Sequence, residues 1–328
     1  MPQSTVTVTS DNLFREINGA FQKTYRDVVG RSALLAACMR LGVPSSKRKE
    51  HFGYLESPPK LSRLDRGQSI SEDGFRAISY NVENLTWAAS VGYYEDDLED
   101  LSLLDLRAHA QQLARRAAAL PEQVFFQILT GSSNASLLKA IPTAPDGAAL
   151  FATTAGGSAR FGVTNGNLLS GNGVATSAVI RQDFWAAVQQ AMQFQDTEGE
   201  PLLSEGVVDS GVTVVFGASN MEAFAEGFKQ TRTVDSNAAV TNTILEGYSG
   251  SVRLWPTQRI TDNDWFVFFG SESIQRPIFE TMRQAPRLID EDRSNSERAR
   301  RQRIFSTILD MRAGYGVSLP YGCVKVNN

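Results

Sequence analysis

Apolar residues recur at steps of three and four near the start of the chain, and this spacing predicts an amphipathic helix within residues 10–39. The members of this apolar stripe are Leu13, Ile17, Phe21, Tyr25 and Val28. Ser10 or Asp11 is suited to cap the helix, because either side chain can accept a hydrogen bond from a free backbone amide of the first turn. We therefore expect an N-terminal arm with one apolar face.

The segment after the arm lacks a helical pattern. Residues 47–66 contain many charges and the tandem prolines Pro58 and Pro59. Residues 75–93 then alternate along the chain and are rich in strand-forming types. Residues 47–93 are therefore predicted to form a long projecting hairpin.

A third pattern predicts a long helix that ends at Gly131. Carboxylates crowd residues 95–100, where the positive end of a helix dipole favours them. The apolar positions that follow at helical spacing are Leu106, Ala110, Leu113, Ala117, Leu120, Val124 and Ile128. Pro121 interrupts this stripe and predicts either a kink or a second helix that starts there. Both alternatives give one elongated element of about thirty residues, or about 45 Å.

The second half of the chain alternates between helical and strand patterns. Residues 140–177 are rich in Gly, Ser, Thr and Asn, which predicts a surface loop and a domain junction. The elements expected after it are helices over residues 181–194 and 221–228, and strands over residues 212–216, 252–255, 265–269 and 303–317. This order indicates an α+β or mixed α/β fold, and we expect α+β.

The composition is that of a folded protein. Of the 328 residues, 42% are hydrophobic and 21% are charged, which supplies a core and argues against disorder. The net charge is -4, so any contact with nucleic acid must come from a local basic patch. No run approaches about eighteen apolar residues and no secretory signal is evident, so we expect synthesis in the cytosol and no membrane association.

Motifs that would indicate an enzyme are missing from the sequence. It contains no Gly-x-Ser-x-Gly elbow, no Gly-Lys dipeptide for a phosphate loop and no dinucleotide-binding glycine motif after a strand. His51 and His109 lie outside any metal-ligand spacing and are expected at a surface or an interface. Cys38 and Cys323 suggest neither a disulfide framework nor a zinc site, and would pair between subunits only if assembly brought them together. We therefore predict no catalytic residue, cofactor or metal.

Two acidic groups resemble cation sites only superficially. Residues 95–100 lack the spacing of a calcium loop and fit the start of a helix better. Asp196, Glu198 and Glu200 surround Gly199, but the glycine and the final glutamate of a calcium loop are misplaced. A turn that ends a helix is expected there.

One run of basic residues lies near the C-terminus. Its members are Arg298, Arg300, Arg301 and Arg303. Acidic residues flank it at positions 290–292 and 297, which weakens long-range attraction to phosphate. We favour an intersubunit charge-pairing strip over a DNA contact, and both interpretations stay open.

Short motifs along the chain resemble one family in the same order. They are Tyr-Tyr-Glu-Asp-Asp-Leu at residues 93–98, Ala-Ala-Ala-Leu-Pro-Glu-Gln-Val-Phe at 117–125, Asp-Gly at 146–147, Leu-Phe at 150–151, Asp-Thr-Glu-Gly-Glu-Pro-Leu at 196–202, Trp265, Arg-Pro-Ile at 276–278, and Arg283. Together they look like the Mu-like major head subunit (major capsid protein) family of bacteriophages. The family often carries Asp and His where this chain has Ala152 and Ala155.

The resemblance implies the HK97-like capsid fold with its named parts. Residues 1–46 would be the N-terminal arm, residues 47–93 the extended E-loop hairpin, and residues 94–180 a P-domain with the spine helix and the glycine-rich junction. Residues 181–290 would form the A-domain with part of the P-domain, and residues 291–328 the C-terminal P-domain strands.

The resemblance also implies what the protein does. Copies would self-assemble into hexamers and pentamers of the icosahedral head of a tailed bacteriophage, which encloses double-stranded DNA without sequence specificity. The implied partners are further copies of the chain, a scaffolding protein, a head protease, a portal protein at one vertex and a decoration protein. Assembly in the host bacterial cytoplasm would place the chain in the virion.

A shell needs many modest, repeated interfaces, and the arm and the hairpin are suited to form them. The residues expected at intersubunit contacts are Phe14, Ile17, Phe21, Phe52, Tyr54, Leu55, Leu61, Leu64, Arg107, Arg115 and Arg116. The three arginines are expected to face either the carboxylates of a neighbour or the packaged DNA.

Other classes of function stay open. An encapsulin-like nanocompartment shell would share the fold but enclose cargo enzymes, and neighbouring portal and terminase genes would exclude it. An uncharacterised enzyme should show a concave pocket with perturbed carboxylates. A DNA-binding module that used the arginine run should bind duplex DNA with a steep salt dependence.

Overall fold

The computed structural model describes most of the chain. The residues that it describes are 10–29, 32–57, 63, 76–94, 103–132, 134–173, 176–204, 206, 210–229, 232–235, 238–241, 244, 247–270, 276–291 and 296–328. Among these residues, we find no helix that is both long enough and apolar enough to span a membrane.

The arm and the long helix form where the apolar stripes predict them, and they pack on each other. Helix α1 spans Ser10–Val29, α2 spans Ala33–Cys38 and α3 spans Leu103–Thr130. Ile17 and Phe21 of α1 lie in one apolar cluster with the buried stripe of α3. Two amphipathic helices of the same chain therefore cover each other's apolar faces.

The long helix runs through its proline. Pro121 lies inside α3, so the alternative of a second helix that starts at this residue is wrong. Gly131 follows the last turn with a φ of 70°, the left-handed conformation that commonly ends a helix. The acidic residues 95–100, which were expected at the start of this helix, lie outside the described residues.

The projecting hairpin is shorter than the sequence pattern suggested. Strands β2 (Lys49–Ser57) and β3 (Arg76–Glu83) pair antiparallel, from Lys49 opposite Glu83 outward. The next strand, β4 (Leu85–Tyr94), leaves the hairpin and pairs with a strand near the C-terminus. The expectation that residues 47–93 form one hairpin is therefore corrected, because its last strand belongs to a sheet.

A four-stranded sheet forms the support beneath the long helix. Its order is β1-β13-β14-β4, in which β1 (Met39–Pro44) runs parallel to β13 (Ile278–Glu291), and β14 (Ile304–Val317) runs antiparallel to both neighbours. The two central strands are 14 residues long each. The short helix α6 (Glu297–Gln302) connects them.

A second, five-stranded sheet forms the core of the other half. Its order is β11-β8-β12-β15-β7. Its strands are β7 (Leu168–Ser170), β8 (Val212–Gly217), β11 (Val252–Thr257), β12 (Trp265–Phe269) and β15 (Cys323–Asn327). Every residue of β8 and β12 is buried, as their apolar sequences predict. Helices α4 (Ser177–Met192) and α5 (Met221–Lys229) contribute buried phenylalanines to the same apolar cluster.

The C-terminal strands divide between the two sheets. Residues 291–328 were expected to stay together in the P-domain, but β15 pairs with β12 and β7 of the five-stranded sheet. Conversely, β13 lies within residues 181–290 almost entirely and belongs to the four-stranded sheet. The chain therefore crosses between the two halves more than once.

The glycine-rich junction is a built structure and not only a surface loop. It contains the short strands β5 (Thr154–Ala155) and β6 (Ser158–Ala159). Arg160 is 2% exposed and Asn167 is fully buried, so the expectation of a plain surface loop is corrected. A further hairpin, β9 (Arg232–Asp235) with β10 (Ala238–Thr241), follows in the second half of the chain.

Candidate assembly surfaces

Aromatic rings fix the hairpin to the body of the protein at its root. Phe52 of β2 stacks on Tyr80 of β3 with ring centroids 5.7 Å apart, and its ring meets Phe279 of β13 edge-on at 5.0 Å. Aromatic pairs of this kind contribute beyond the area that they bury. Phe52 is half-buried in its own chain, where it joins the hairpin to the four-stranded sheet.

Hydrogen bonds fix both ends of the hairpin at the same place. Glu50 Oε1 accepts from the hydroxyl of Ser45 at 2.8 Å and from the backbone amides of Ser46 and Lys47 at 2.8 and 2.9 Å. These bonds, led by that from the Lys47 amide, lower the pKa of the Glu50 carboxyl. On the return side, Asn84 donates to Ser45 Oγ at 2.6 Å and to the Lys47 carbonyl at 2.7 Å. The direction in which the hairpin projects is thus set by its root.

The junction between the two halves is organised around one buried cation. The Arg160 guanidinium forms a two-pronged ion pair with Asp146, with Nε–Oδ2 at 2.7 Å and Nη2–Oδ1 at 3.0 Å. Its Nη1 donates to the carbonyls of Ala149 and Leu150, each at 2.9 Å, and to Asn167 Oδ1 at 3.1 Å. Such bidentate pairing is the geometry that an arginine side chain favours.

The amide of Asn167 continues this network to the C-terminal segment. Its Nδ2 donates to the carbonyl of Leu150 at 2.8 Å, and to those of Pro320 at 2.8 Å and Cys323 at 3.3 Å. Because its Oδ1 also accepts from the Ala152 amide at 3.1 Å, this one side chain holds the backbone of Leu150 and Ala152 to the start of β15. Sequence reasoning missed this cluster, which ties the junction to the five-stranded sheet.

The apolar face of the arm is occupied within its own chain. Ile17 is 5% exposed and Phe21 is fully buried, both against α3. The expectation that these two side chains pack between subunits is corrected, because the stripe of α3 in the same chain already covers them. The side chain of Phe14 lies outside the described residues.

Polar contacts close the edges of the arm and of the long helix. Arg107 of α3 pairs with Glu16 of α1, with Nη2–Oε2 at 2.5 Å, so its described partner is also in its own chain. His109 stacks on Tyr93 of β4 with ring centroids 5.8 Å apart, and its Nδ1 lies 3.2 Å from the tyrosine hydroxyl. Burial raises the pKa of that hydroxyl.

Comparison with known proteins finds a family that is similar to the first part of the chain. Residues 11–153 match the family model described as Mu-like prophage major head subunit gpT. The predicted likeness to the Mu-like head subunits is confirmed over this part of the chain. The major capsid protein of Escherichia phage Mu is 31% identical over 87 residues, which is 26% of this chain and spans 28% of the length of the Mu protein.

Solved structures share the fold across nearly the whole chain. The capsid structure of cyanophage P-SCSP1u has a TM-score of 0.56 at 10% identity and covers 88% of this chain and 85% of that chain. The structure of Mycobacterium phage Patience has a TM-score of 0.54 at 12% identity and covers 98% of this chain and 90% of that chain. The chain therefore has the predicted HK97-like shell fold, in which β2 and β3 form the E-loop and α3 forms the spine helix.

Most of the contact residues expected in the E-loop lie where the structure gives no side-chain detail. Tyr54 and Leu55 belong to β2, but their side chains lie outside the described residues, as do Leu61 and Leu64 entirely. Phe52 is the described member, and its contacts are within the chain. The structure therefore describes the contacts at the root of the E-loop. The contacts of the E-loop with a neighbouring subunit stay predictions.

The exposed arginines fall into two groups on this fold. Arg115 and Arg116 lie on the exposed side of the spine helix, and neither forms an ion pair within the described part of the chain. The run near the C-terminus forms α6 and the residue after it, where Arg301 pairs with Glu297 at 2.6 Å and Arg298 Nε donates to Gln302 at 3.3 Å. Arg300 Nε donates to the Ser296 carbonyl at 3.5 Å, and Arg303 ends the helix in the left-handed conformation. Local pairing thus occupies part of this basic run.

The acidic turn after α4 is closed by its own side chain and backbone. Asp196 Oδ1 accepts hydrogen bonds from the backbone amides of Glu198 and Glu200 at 2.8 and 2.9 Å, which gives the turn expected there. Across the described ranges, no cluster of His, Cys, Asp and Glu is suited to hold a metal ion.

The two cysteines are buried together in the interior. Cys38 and Cys323 are fully buried members of one apolar cluster. Burial raises the pKa of each thiol, which disfavours the reactive thiolate. A bond between subunits would require one of these thiols to leave the apolar cluster and reach a neighbour.

Proposed function

We propose that the chain is the major capsid protein of a tailed bacteriophage, which self-assembles into hexamers and pentamers of an icosahedral head. The observation that carries the proposal is the combination of the shell fold over most of the chain with the head-subunit family match over residues 11–153. The function of this family is structural, so the proposal includes the absence of catalysis. The function then depends on the free energy of binding between subunits and not on a catalytic site.

The E-loop is the proposed bridge between neighbouring subunits. Its root is held by the aromatic cluster of Phe52, Tyr80 and Phe279, so its direction is set before assembly. A preorganised projection loses less conformational entropy when it docks. We place Tyr54, Leu55, Leu61 and Leu64 at the contact with a neighbour. Ile17 and Phe21 instead stabilise the arm on its own spine helix.

The proposed role of the exposed arginines is to set the charge of the contact surfaces. Arg115 and Arg116 are exposed on one side of the spine helix, where they can meet a neighbour's carboxylates or packaged DNA. Arg298, Arg300, Arg301 and Arg303 form the second such surface. Because Glu297 already pairs with Arg301, the net positive charge of this surface is reduced, which favours charge pairing between subunits over DNA contact.

Further partners follow from the same proposal. A head must be nucleated, enclosed and filled, so we propose a scaffolding protein, a head protease, a portal protein at one vertex, a decoration protein and double-stranded DNA as partners. Assembly would take place in the host cytoplasm, and the finished subunit would reside in the virion. These partners extend the structural assignment and rest on it.

Negative-stain microscopy with analytical sedimentation tests the proposal. The chain is purified after expression alone and after expression with the scaffold gene from its neighbourhood. We expect ring-shaped capsomers or closed shells in at least one preparation, and shells that enclose DNA in infected cells. A stable monomer under both conditions would contradict the proposal, and closed shells that contain a cargo enzyme in place of DNA would point to a nanocompartment.

A pair of charge reversals sharpens the test at the spine helix. We expect Arg115→Glu with Arg116→Glu to lower the assembled fraction at least about tenfold, which corresponds to about 1.4 kcal/mol of contact energy. Lys139→Glu changes charge at an exposed residue outside the proposed contacts and serves as the control. Equal assembly of both variants and the parent protein would remove these arginines from the subunit interface.

A further inference from the structure

One buried carboxyl lies where the arm, the spine helix and the four-stranded sheet meet. Glu280 of β13 is 2% exposed. Its Oε1 accepts a hydrogen bond from the hydroxyl of Tyr315 at 3.0 Å, and its Oε2 accepts from the backbone amide of Gly42 at 3.2 Å. The side chain therefore joins β13 to both neighbouring strands, β14 and β1.

The groups that face Glu280 do not supply a positive charge. Tyr25 of α1 and Tyr315 of β14 are near enough to interact with its carboxyl electrostatically, and both are buried or largely buried. From α3, Glu122 lines the same cavity and is already paired with Arg259 at 3.1 Å. The lining residues from β1 and from the start of α2 carry no charge. Within the described residues, no lysine or arginine forms an ion pair with Glu280.

Desolvation dominates the protonation of this group. Burial raises the pKa of the Glu280 carboxyl, and the hydrogen bonds from Tyr315 and Gly42 oppose this rise. The pKa of the neighbouring Tyr25 is also raised, to about 12. The larger cause is burial, and the second is the charge of Glu280. A negative charge at this position therefore lacks both water and a counterion.

A cavity next to Glu280 gives water a place to enter. It has a volume of about 600 Å³ and lies between the last turns of α1, the middle of α3 and the sheet. Its walls are mainly apolar, with Val28 and Val29 from the arm and Ala118 and Ala119 from the spine helix. An ionised carboxylate at its edge would draw water into apolar surroundings, which weakens the packing of the arm there.

We propose that Glu280 is a proton-controlled latch for the arm. While the carboxyl is neutral, the last turns of α1 stay packed over the cavity. When the carboxyl ionises, water enters the cavity and these turns loosen from α3 and the sheet. This property belongs to the single subunit and goes beyond the proposed role in the shell, so it does not depend on assembly.

Amide hydrogen exchange of the subunit tests the latch. Exchange is followed for peptides that cover residues 15–29, from about pH 4 to about pH 8, and is corrected for the intrinsic pH dependence. In the parent protein we expect the protection of this region to fall about tenfold or more as pH rises. In Glu280→Gln, which keeps the shape without the charge, protection should stay constant. The same fall in both proteins, or no fall in the parent, would overturn the proposal.

Two further variants keep the test decisive. Tyr315→Phe removes a hydrogen bond that lowers the pKa of Glu280, so the midpoint of the exchange transition should move to higher pH. Glu122→Gln removes the other carboxyl of the cavity, which is paired with Arg259, and should leave the midpoint unchanged. If Glu280→Gln does not fold, an unmoved midpoint in Tyr315→Phe overturns the latch by itself.

Discussion

Two buried charges of this protein have opposite surroundings. Arg160 in the junction and Glu280 beneath the arm are each 2% exposed. Arg160 has a carboxylate partner in Asp146 and three further acceptors, whereas Glu280 has two donors and no cation among the described residues. A buried charge is tolerated when it is paired and costs free energy when it is not.

The difference indicates what each region is built to do. The junction is held in one arrangement against the five-stranded sheet. Arg160 donates five hydrogen bonds to acceptors within residues 146–167, and Asn167 bonds to the start of β15. The region beneath the arm has two arrangements available, because one proton decides whether Glu280 is charged. Removing the charge should therefore have opposite effects on stability at the two sites.

The largest effect is expected for Arg160→Met. This change leaves Asp146 without its cation and the Ala149 carbonyl without its donor, and breaking a buried ion pair in this way typically costs about 3–5 kcal/mol. Urea unfolding, followed by fluorescence of the buried Trp265, measures the loss of stability. The control is Arg160→Lys, which keeps the positive charge but cannot form the two-pronged ion pair with Asp146. It should lose less stability than Arg160→Met. An equal loss of stability in both variants would show that the two-pronged geometry of the ion pair contributes nothing to stability.

Glu280→Gln is expected to change the free energy of unfolding less than Arg160→Met does, and in the opposite direction. Near pH 8 the variant should be more stable than the parent protein. Because burial raises the pKa of Glu280 in the folded state, its contribution is most favourable below the pKa of the unfolded chain. That contribution is lost as pH rises through the folded pKa. The variant should therefore be the more stable protein at high pH, by about 1.4 kcal/mol for each unit by which the folded pKa is raised.

Unfolding at a series of pH values checks this second prediction. The stabilities of the parent protein and Glu280→Gln should approach each other as pH falls toward about 4, the ordinary value for a glutamate. Parallel curves over the whole range would show that the carboxyl does not change its charge, and would remove the contrast with Arg160.

The sequence pattern predicts most helices and strands, but it does not predict which strands pair with each other. The stripes of the arm and of the spine helix predicted both helices, and these stripes meet in the structure. Alternation predicted β4 as a strand, but its partner β14 lies about two hundred residues later, and periodicity contains no information on pairing at that distance. The pattern therefore assigns residues 85–93 to the hairpin that precedes them.

The two buried charges were missed for different reasons. Arg160 is the one charged residue between Asp146 and Arg181, and a lone charge in such a neutral segment is a signal that could have marked it. Glu280 lies in an ordinary strand sequence, and its isolation results from β1, β14 and α1 meeting around it. No local pattern reports such a convergence. The family motifs supplied the shell fold that periodicity alone left open.

The smallest effect is expected for the exposed pair between the arm and the spine helix. Arg107 and Glu16 form an ion pair, but their side chains are 44% and 45% exposed, so water screens most of the attraction. Arg107→Ala should lower the stability by less than about 1 kcal/mol, and added salt should reduce even that difference. Arg115→Ala, which removes an exposed arginine without a described ion pair, is the matched control in the same urea experiment. A loss of stability in Arg107→Ala as large as that in Arg160→Met would show that burial and pairing do not determine how much a charged side chain contributes to stability in this protein. The contrast between the two buried sites would then lose its physical basis.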